Sequence, residues 1–218
     1  MIFRRHDRRA AIAVAMLFAA TARAADDLPT FVGPAMGTTY RVTLAAPIPG
    51  LATGELHREL ETVLARIDRA ANTWRQDSDA SRFNRAVAGE WVEVADDLVI
   101  IVEIARLVHE GSRGAFDITA APLVRLPGGA TLADAAADAA SGLDAQERTG
   151  MQFVETRAGT AGRPAAIRKT RDAVAIDLGG IGPGYAVDQL GERLLELGSR
   201  AHLVELGGEV RGWGCSPG

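Results

Sequence analysis

Cysteine is nearly absent. Cys215 is the only one in 218 residues, so neither an intrachain disulfide nor a cysteine-rich metal site can form. No cysteine follows the small-residue stretch near the N-terminus, which removes the usual lipid anchor. Lysine is equally scarce: Lys169 is alone among 24 basic residues, a bias that reads as coding preference rather than chemistry. Beyond Ala20 no stretch is apolar enough to span a membrane. Neither standard phosphate fingerprint is complete. GxGxxG would need a glycine at Val187, and the Gly-Lys-Ser/Thr of a P-loop is missing.

Positive charge is concentrated at the start. Arg4, Arg5, Arg8 and Arg9 form a basic head, "AAIAVAMLFAA" (Ala10 to Ala20) a short apolar core, and "ARA" (Ala22 to Ala24) a small-residue cleavage site. This is the pattern of an export signal over residues 1–24, and it implies a periplasmic protein beginning at Ala25. Arg8-Arg9 leaves both Sec and Tat export open. Removal of this segment strips five arginines and one aspartate and takes the net charge from −4 to about −8. An acidic surface argues against a nucleic-acid partner.

Residues 25–218 read as one α+β domain of helices with antiparallel strand pairs. "TTYRVTLAA" (Thr38 to Ala46) alternates like a strand. Leu56, Leu60, Val63, Leu64 and Ile67 recur at helical spacing, which predicts a helix from Thr53 to about Ala71. Asn72 to Ala86 is polar and turn-rich, and Glu90 to Val94 fits a short edge strand. Asp96 is positioned to cap a second helix bearing Leu98, Ile101, Val102, Ala105 and Val108. "PGGATLADAAADAASG" reads as a loop with a short helix. "PAAIRKTRDAVAIDLGG" reads as two strands turning at Thr170 to Asp172. A third helix is expected over Tyr185 to Leu197, and "AHLVELGGEVRGWG" gives two strands bent at Gly207-Gly208.

The densest glycine cluster is "AIDLGGIGPGYAVDQL", Ala175 to Leu190. By spacing alone it is a plain strand–loop–helix corner. Glycines also let a backbone approach a ligand, and amides at a helix start attract oxyanions. Asp177 would repel a phosphate unless it holds a hydroxyl or lies near a hard cation. A diphosphate bound with magnesium reconciles the two, because magnesium takes oxygen ligands and shares phosphate oxygens.

"PAMGTTYRV", "TWRQDSDASRFN", "GAFDITAAPLV", "AIDLGGIGPGYAVDQL" and "HLVELGGEVRGWG" occur in this order, and together they resemble the ApbE family, periplasmic FAD:protein FMN transferases that include the nitrous-oxide-reductase accessory protein NosX. The resemblance implies a T-fold-related α+β fold of antiparallel sheets with packed helices. It implies a magnesium-dependent reaction that splits FAD, releases AMP and attaches FMN to a threonine of an acceptor flavoprotein of the NosR, RnfG or NqrC type. By the same resemblance Met36 and Trp74 line the flavin pocket, while Ala115, Phe116, Asp117 and Asp177 contact FAD. The carbonyl of Gly180 faces magnesium. Pro183 stands at an FAD-contact position where the family usually has lysine or glutamate, so one contact is expected to be lost and the loop stiffened. No catalytic residue is assigned.

Each of these residues also has a plainer use. Met36 and Phe116 can fill the core, Trp74 can pack on the surface, Ser78 and Asp117 can cap turns, and Arg82 and Asn84 can fasten the loop. The similarity spans about two thirds of a full family member, and "GCSPG" does not continue it. A C-terminal segment with further magnesium ligands is therefore expected to be missing. The alternative function is a periplasmic fragment that binds FAD or FMN, or assists flavoprotein assembly, without turnover.

Overall fold

In the computed structural model, residues 28–120 and 149–215 are described. The export signal and the 127–142 stretch lie outside them. The order is β1 (Thr30–Ala35), β2 (Thr38–Leu44), α1 (Thr53–Ala71), α2 (Asp79–Arg85), β3 (Val92–Glu93), α3 (Asp96–Gly111), β4 (Val154–Arg157), β5 (Ala166–Lys169), α4 (Gly182–Glu196), β6 (His202–Leu206) and β7 (Glu209–Trp213). Short 3₁₀ turns cover Ile118–Ala120 and Met151–Phe153.

Two antiparallel sheets form. The larger runs β1-β2-β6-β7 and the smaller β3-β5-β4. In the larger, Val42 pairs with Val204 and Tyr40 with Leu206. Period-two alternation puts Tyr40, Val42, Leu44, Val204 and Leu206 on one buried face. That face meets α1 and α4. Helix α1 buries Leu56, Leu60, Val63, Leu64 and Ile67, and α4 buries Tyr185, Ala186, Leu190 and Leu194. The small sheet packs through Val92, Val154 and Ile167, which join the same core with α2 and α3.

Several expectations need correction. Residues 30–35 form a strand that the Gly33-Pro34 pair obscured. Gly33 is needed there because an added Cβ would sit 2.7 Å from Cε1 of the buried Tyr40 ring. The polar 72–86 stretch contains α2, started by Ser78, whose hydroxyl accepts the Ser81 N–H at 3.1 Å. Asp96 does not cap α3. The N-cap is Ala95, which has no side-chain cap, and Asp96 is the first helical residue. Residues 174–178 form no strand: Val174, Ile176 and Leu178 are buried alternately, but β5 pairs with β3 and β4 instead. Helix α4 begins at Gly182, not Tyr185, and Pro183 sits in its first turn. There the missing amide has no ladder partner to lose.

His202 is buried on the inner face of β6, with Nδ1 3.1 Å from the Ser199 hydroxyl. Burial, and after it the Arg211 charge, hold its pKa below the ordinary 6.5. The folded state therefore prefers neutral imidazole while the unfolded chain takes up the proton first. Its contribution to stability is full above about pH 6.5 and is lost as pH falls through the depressed value. Melting curves at pH 7.5 and 5 should show a smaller acid-induced drop in His202→Gln than in the wild type. An equal drop in both proteins would place the acid sensitivity elsewhere.

Candidate functional site

Two tight turns lie at one end of the large sheet. Ala35 pairs with Thr38, leaving Met36 and Gly37 at φ 50° and 77°. Leu206 pairs with Glu209, leaving Gly207 and Gly208 at φ 59° and 105°. Two-residue loops with both φ positive are type I′, the form that matches strand twist. Gly207 lies against Thr38, whose Cγ2 would be 3.0 Å from an added Cβ. The turns are therefore neighbours.

Beside the first turn lies an open groove of about 670 Å³. Pro34 to Thr38 form one wall, Glu61, Leu64, Ala65 and Asp68 of α1 the other, and Asn72 and Arg75 the end. Arg75 bridges Asp68 at 3.2 Å and Asp77 at 2.9 Å. The Asn72 carboxamide oxygen accepts the Trp74 N–H at 2.8 Å. Trp74 itself is 83% exposed. It sits in the chain between the groove residues Asn72 and Arg75, and an indole this open can stack on a planar ring.

Met36 joins the groove to the glycine corner, since its Cε would be 3.3 Å from a Cβ on Gly182. The corner is a compact turn. Asp177 Oδ1 accepts the Gly179 N–H at 2.9 Å, and the Gly182 N–H closes onto the Leu178 carbonyl at 2.7 Å. Gly179 and Gly180 are exposed. A Cβ on Gly180 would lie 3.4 Å from Phe116 Cε2. Phe116, half-buried against the core, therefore also packs against the corner.

Phe116 and Asp117 are held by α3 and the chain after it. The turn passes through Arg113 and Gly114 at φ 57° and 83°. The Ser112 hydroxyl accepts the Phe116 N–H at 3.0 Å, and His109 Nδ1 lies 2.8 Å from the Phe116 carbonyl and 3.6 Å from Asp117 Oδ2. Asp117 Oδ1 accepts both the N–H and the hydroxyl of Thr119, at 2.7 and 2.6 Å. The Asp177 N–H donates to the Ile118 carbonyl at 2.7 Å, so the two aspartate segments are bonded together.

The structure thus brings Met36, Phe116, Asp117, Asp177, Gly180 and Pro183 to one end of the molecule. Ala115 is exposed next to Phe116. Trp74 lies in the chain between Asn72 and Arg75, both of which line the groove. Two further residues hold the backbone that leads into Asp177: Asn84, expected to fasten the loop, and Lys169. Lys169 is buried, its Nζ 2.9 Å from the carbonyls of Asn84 and Val174 and 5.7 Å from the Phe83 ring centre. Burial lowers its pKa. The solitary lysine thus has a structural use beyond the coding bias read from the sequence.

For a metal, the donor set is small. Among the described residues no three His, Cys, Asp or Glu side chains gather. Asp117 Oδ1 is taken by Thr119 with Oδ2 near His109, and Asp177 Oδ1 is taken by the Gly179 N–H. Asp117, Asp177 and the exposed Gly180 backbone are the oxygen donors of this corner that could take part in holding a hard cation.

Two antiparallel sheets with helices packed against them define an α+β protein. The model of the ApbE family matches residues 36–218, and the chain belongs to that family. It is 29% identical over 184 residues to the FAD:protein FMN transferase of Haemophilus influenzae, covering 84% of this chain and 53% of that protein. It is 33% identical over 184 residues to the enzyme of the same name from Klebsiella pneumoniae, covering 82% and 51%. The apo crystal structure of the Pseudomonas stutzeri flavinyl transferase ApbE superposes with a TM-score of 0.70 at 32% identity, covering 88% of this chain and 60% of that one. The α+β expectation holds. The chain spans about half the length of the curated relatives it matches.

Proposed function

We propose that this chain carries the dinucleotide-binding part of an FAD:protein FMN transferase. The observation that supports this most is the bonding of the Phe116-Asp117 segment to the Asp177 corner, with Met36 bridging that corner to a groove. An extended ligand with a planar ring at one end and a diphosphate at the other fits this layout. In this reading the isoalloxazine lies in the groove between Met36 and Trp74. The diphosphate lies at the exposed glycines, and Asp117 and Asp177 serve hydroxyl groups or the cation. Asp177 and the Gly180 carbonyl would hold magnesium, which supplies charge neutralisation on the diphosphate.

In the transfer, an acceptor threonine oxygen bonds to the FMN-side phosphorus. The bond from that phosphorus to the bridging oxygen breaks, and AMP leaves with the electron pair. The hydroxyl proton passes to solvent. The acceptor would be a periplasmic or membrane-associated flavoprotein, and the chain would reach it through export directed by residues 1–24. A second reading, FAD binding without turnover, is favoured by the small donor set. Mass spectrometry of an acceptor peptide mixed with protein and FAD, with and without magnesium, separates the two. A magnesium-dependent gain of FMN on threonine supports transfer, and bound FAD with an unmodified peptide supports the second reading.

The Met36 backbone gives a further test. A non-glycine residue at positive φ costs on the order of 1–2 kcal/mol, and Asn-Gly is the preferred pair for this turn. Met36→Asn should leave the melting temperature unchanged or raise it, while FAD binding weakens severalfold. A lowered melting temperature with unchanged FAD binding would make Met36 a packing residue and remove it from the site.

A further inference from the structure

We propose that Asn84 is the positioning residue for Asp177, its carboxamide taking the place of a neighbouring strand. Residues 174–178 run through the core without a strand partner, and buried backbone groups left unpaired are costly. Asn84 resolves this at the central residue. Its Nδ2 donates to the Ile176 carbonyl at 2.9 Å, and its Oδ1 accepts the Ile176 N–H at 2.8 Å. A carboxamide presents a donor and an acceptor side by side, so it reproduces the double exchange of an antiparallel pair.

The clamp is itself fixed. Lys169 Nζ donates to the Asn84 and Val174 carbonyls, both at 2.9 Å, tying the end of α2 to the same segment. On the next residue the Asp177 N–H donates to the Ile118 carbonyl. Ile176 is thus held from α2 and Asp177 from the Ile118–Ala120 turn. These bonds fix the backbone from which the Asp177 carboxylate projects, and its Oδ1 accepts the Gly179 N–H. Asn84 lies 92 residues away in sequence, and its contacts are with the backbone.

The ligand readout of this proposal rests on the flavin reading above, so the experiment has two arms. In Asn84→Asp the acceptor for the Ile176 N–H is kept, but a carboxylate oxygen faces the Ile176 carbonyl. Asn84→Ser removes both bonds with less electrostatic cost and serves if the first variant does not fold. In the first arm, flavin fluorescence gives the FAD Kd for wild type, Asn84→Asp, Asp177→Asn and the double variant. Asn84→Asp should raise Kd about tenfold in the wild-type background and less than about twofold once Asp177 is replaced. Full additivity would overturn the claim that Asn84 acts through Asp177. A general loss of stability would add in both backgrounds.

In the second arm, amide hydrogen exchange is followed without ligand. The Asp177 and Gly179 amides should exchange at least about tenfold faster in either variant, with the α1 amides unchanged. Unchanged exchange at 177 and 179 overturns the clamp. If the wild-type chain binds no FAD, the flavin reading falls and the exchange arm alone decides the clamp.

Discussion

Asp97→Ala should lower stability by about 3 kcal/mol and the melting temperature by roughly 6–12 °C. The Asp97 side chain is only 4% exposed. It accepts two bonds from Arg66 Nη1, at 2.8 and 2.7 Å, and one from the Tyr185 hydroxyl at 2.7 Å. Burial, with the Asp97 bond behind it, pushes the Tyr185 pKa upward. The network ties α1, α3 and the first turn of α4 together, and Arg66 also reaches Gln189 at 3.2 Å. Removing the carboxylate leaves a buried phenol without its acceptor, which costs about 1–3 kcal/mol. Arg66 loses its partner too, but its side chain is 48% exposed and water can replace part of the loss.

The comparison within the network decides whether charge or hydrogen bonding dominates. Asp97→Asn keeps an acceptor for Tyr185 and should cost about half as much as Asp97→Ala. Tyr185→Phe removes one bond from a carboxylate that keeps Arg66, so about 1 kcal/mol is expected. Chemical denaturation of the three variants measures all of this. A loss below about 1 kcal/mol for Asp97→Ala would show that the helices hold their places without the network.

The helices were legible because their burial is periodic. Leu56 to Ile67 predicts α1 to within a residue at each end, and the Gly207-Gly208 bend predicts the last hairpin. What escaped was structure held by side chains instead of period. In α2 only Ala80, Ser81 and Phe83 are buried, too few to outweigh the polar residues around them. The buried alternation of Val174, Ile176 and Leu178 was visible, but the segment's central residue, Ile176, is paired by the Asn84 side chain. No rule of strand pairing finds a carboxamide 92 residues away.

The same limit applied at the site. The motifs pointed to Met36, Phe116, Asp117, Asp177 and Gly180. Their order in sequence cannot show that the Asp177 N–H bonds the Ile118 carbonyl or that Phe116 packs on Gly180. Those contacts depend on how α3 and the glycine corner meet in the fold. Pro183 is expected from the sequence to stiffen the loop, and its ring lies at the helix start that closes it. Its placement in the first turn of α4 leaves the loop itself to Gly179, Gly180 and Ile181.

Asp177→Asn should weaken FAD binding by about 1–3 kcal/mol, the scale of a hydrogen bond to a charged group, and leave the melting temperature within about 1 °C. Both parts follow from the same bond. Asp177 Oδ1 accepts the Gly179 N–H, and an asparagine oxygen can accept it equally well, so the turn survives. What changes is the charge on the group that would serve a ligand hydroxyl or a cation. Asp117→Asn provides the contrast, because Asp117 Oδ1 accepts two bonds from Thr119, which is buried and in turn accepts the Gly150 N–H at 2.6 Å. There an asparagine weakens structural bonds too, and both affinity and melting temperature should fall. Fluorescence titration with FAD and melting curves on the same samples measure the pair. If Asp177→Asn binds FAD as tightly as the wild type while its melting temperature drops by several degrees, the glycine corner is only a helix start. The dinucleotide would then have to lie along the groove without it.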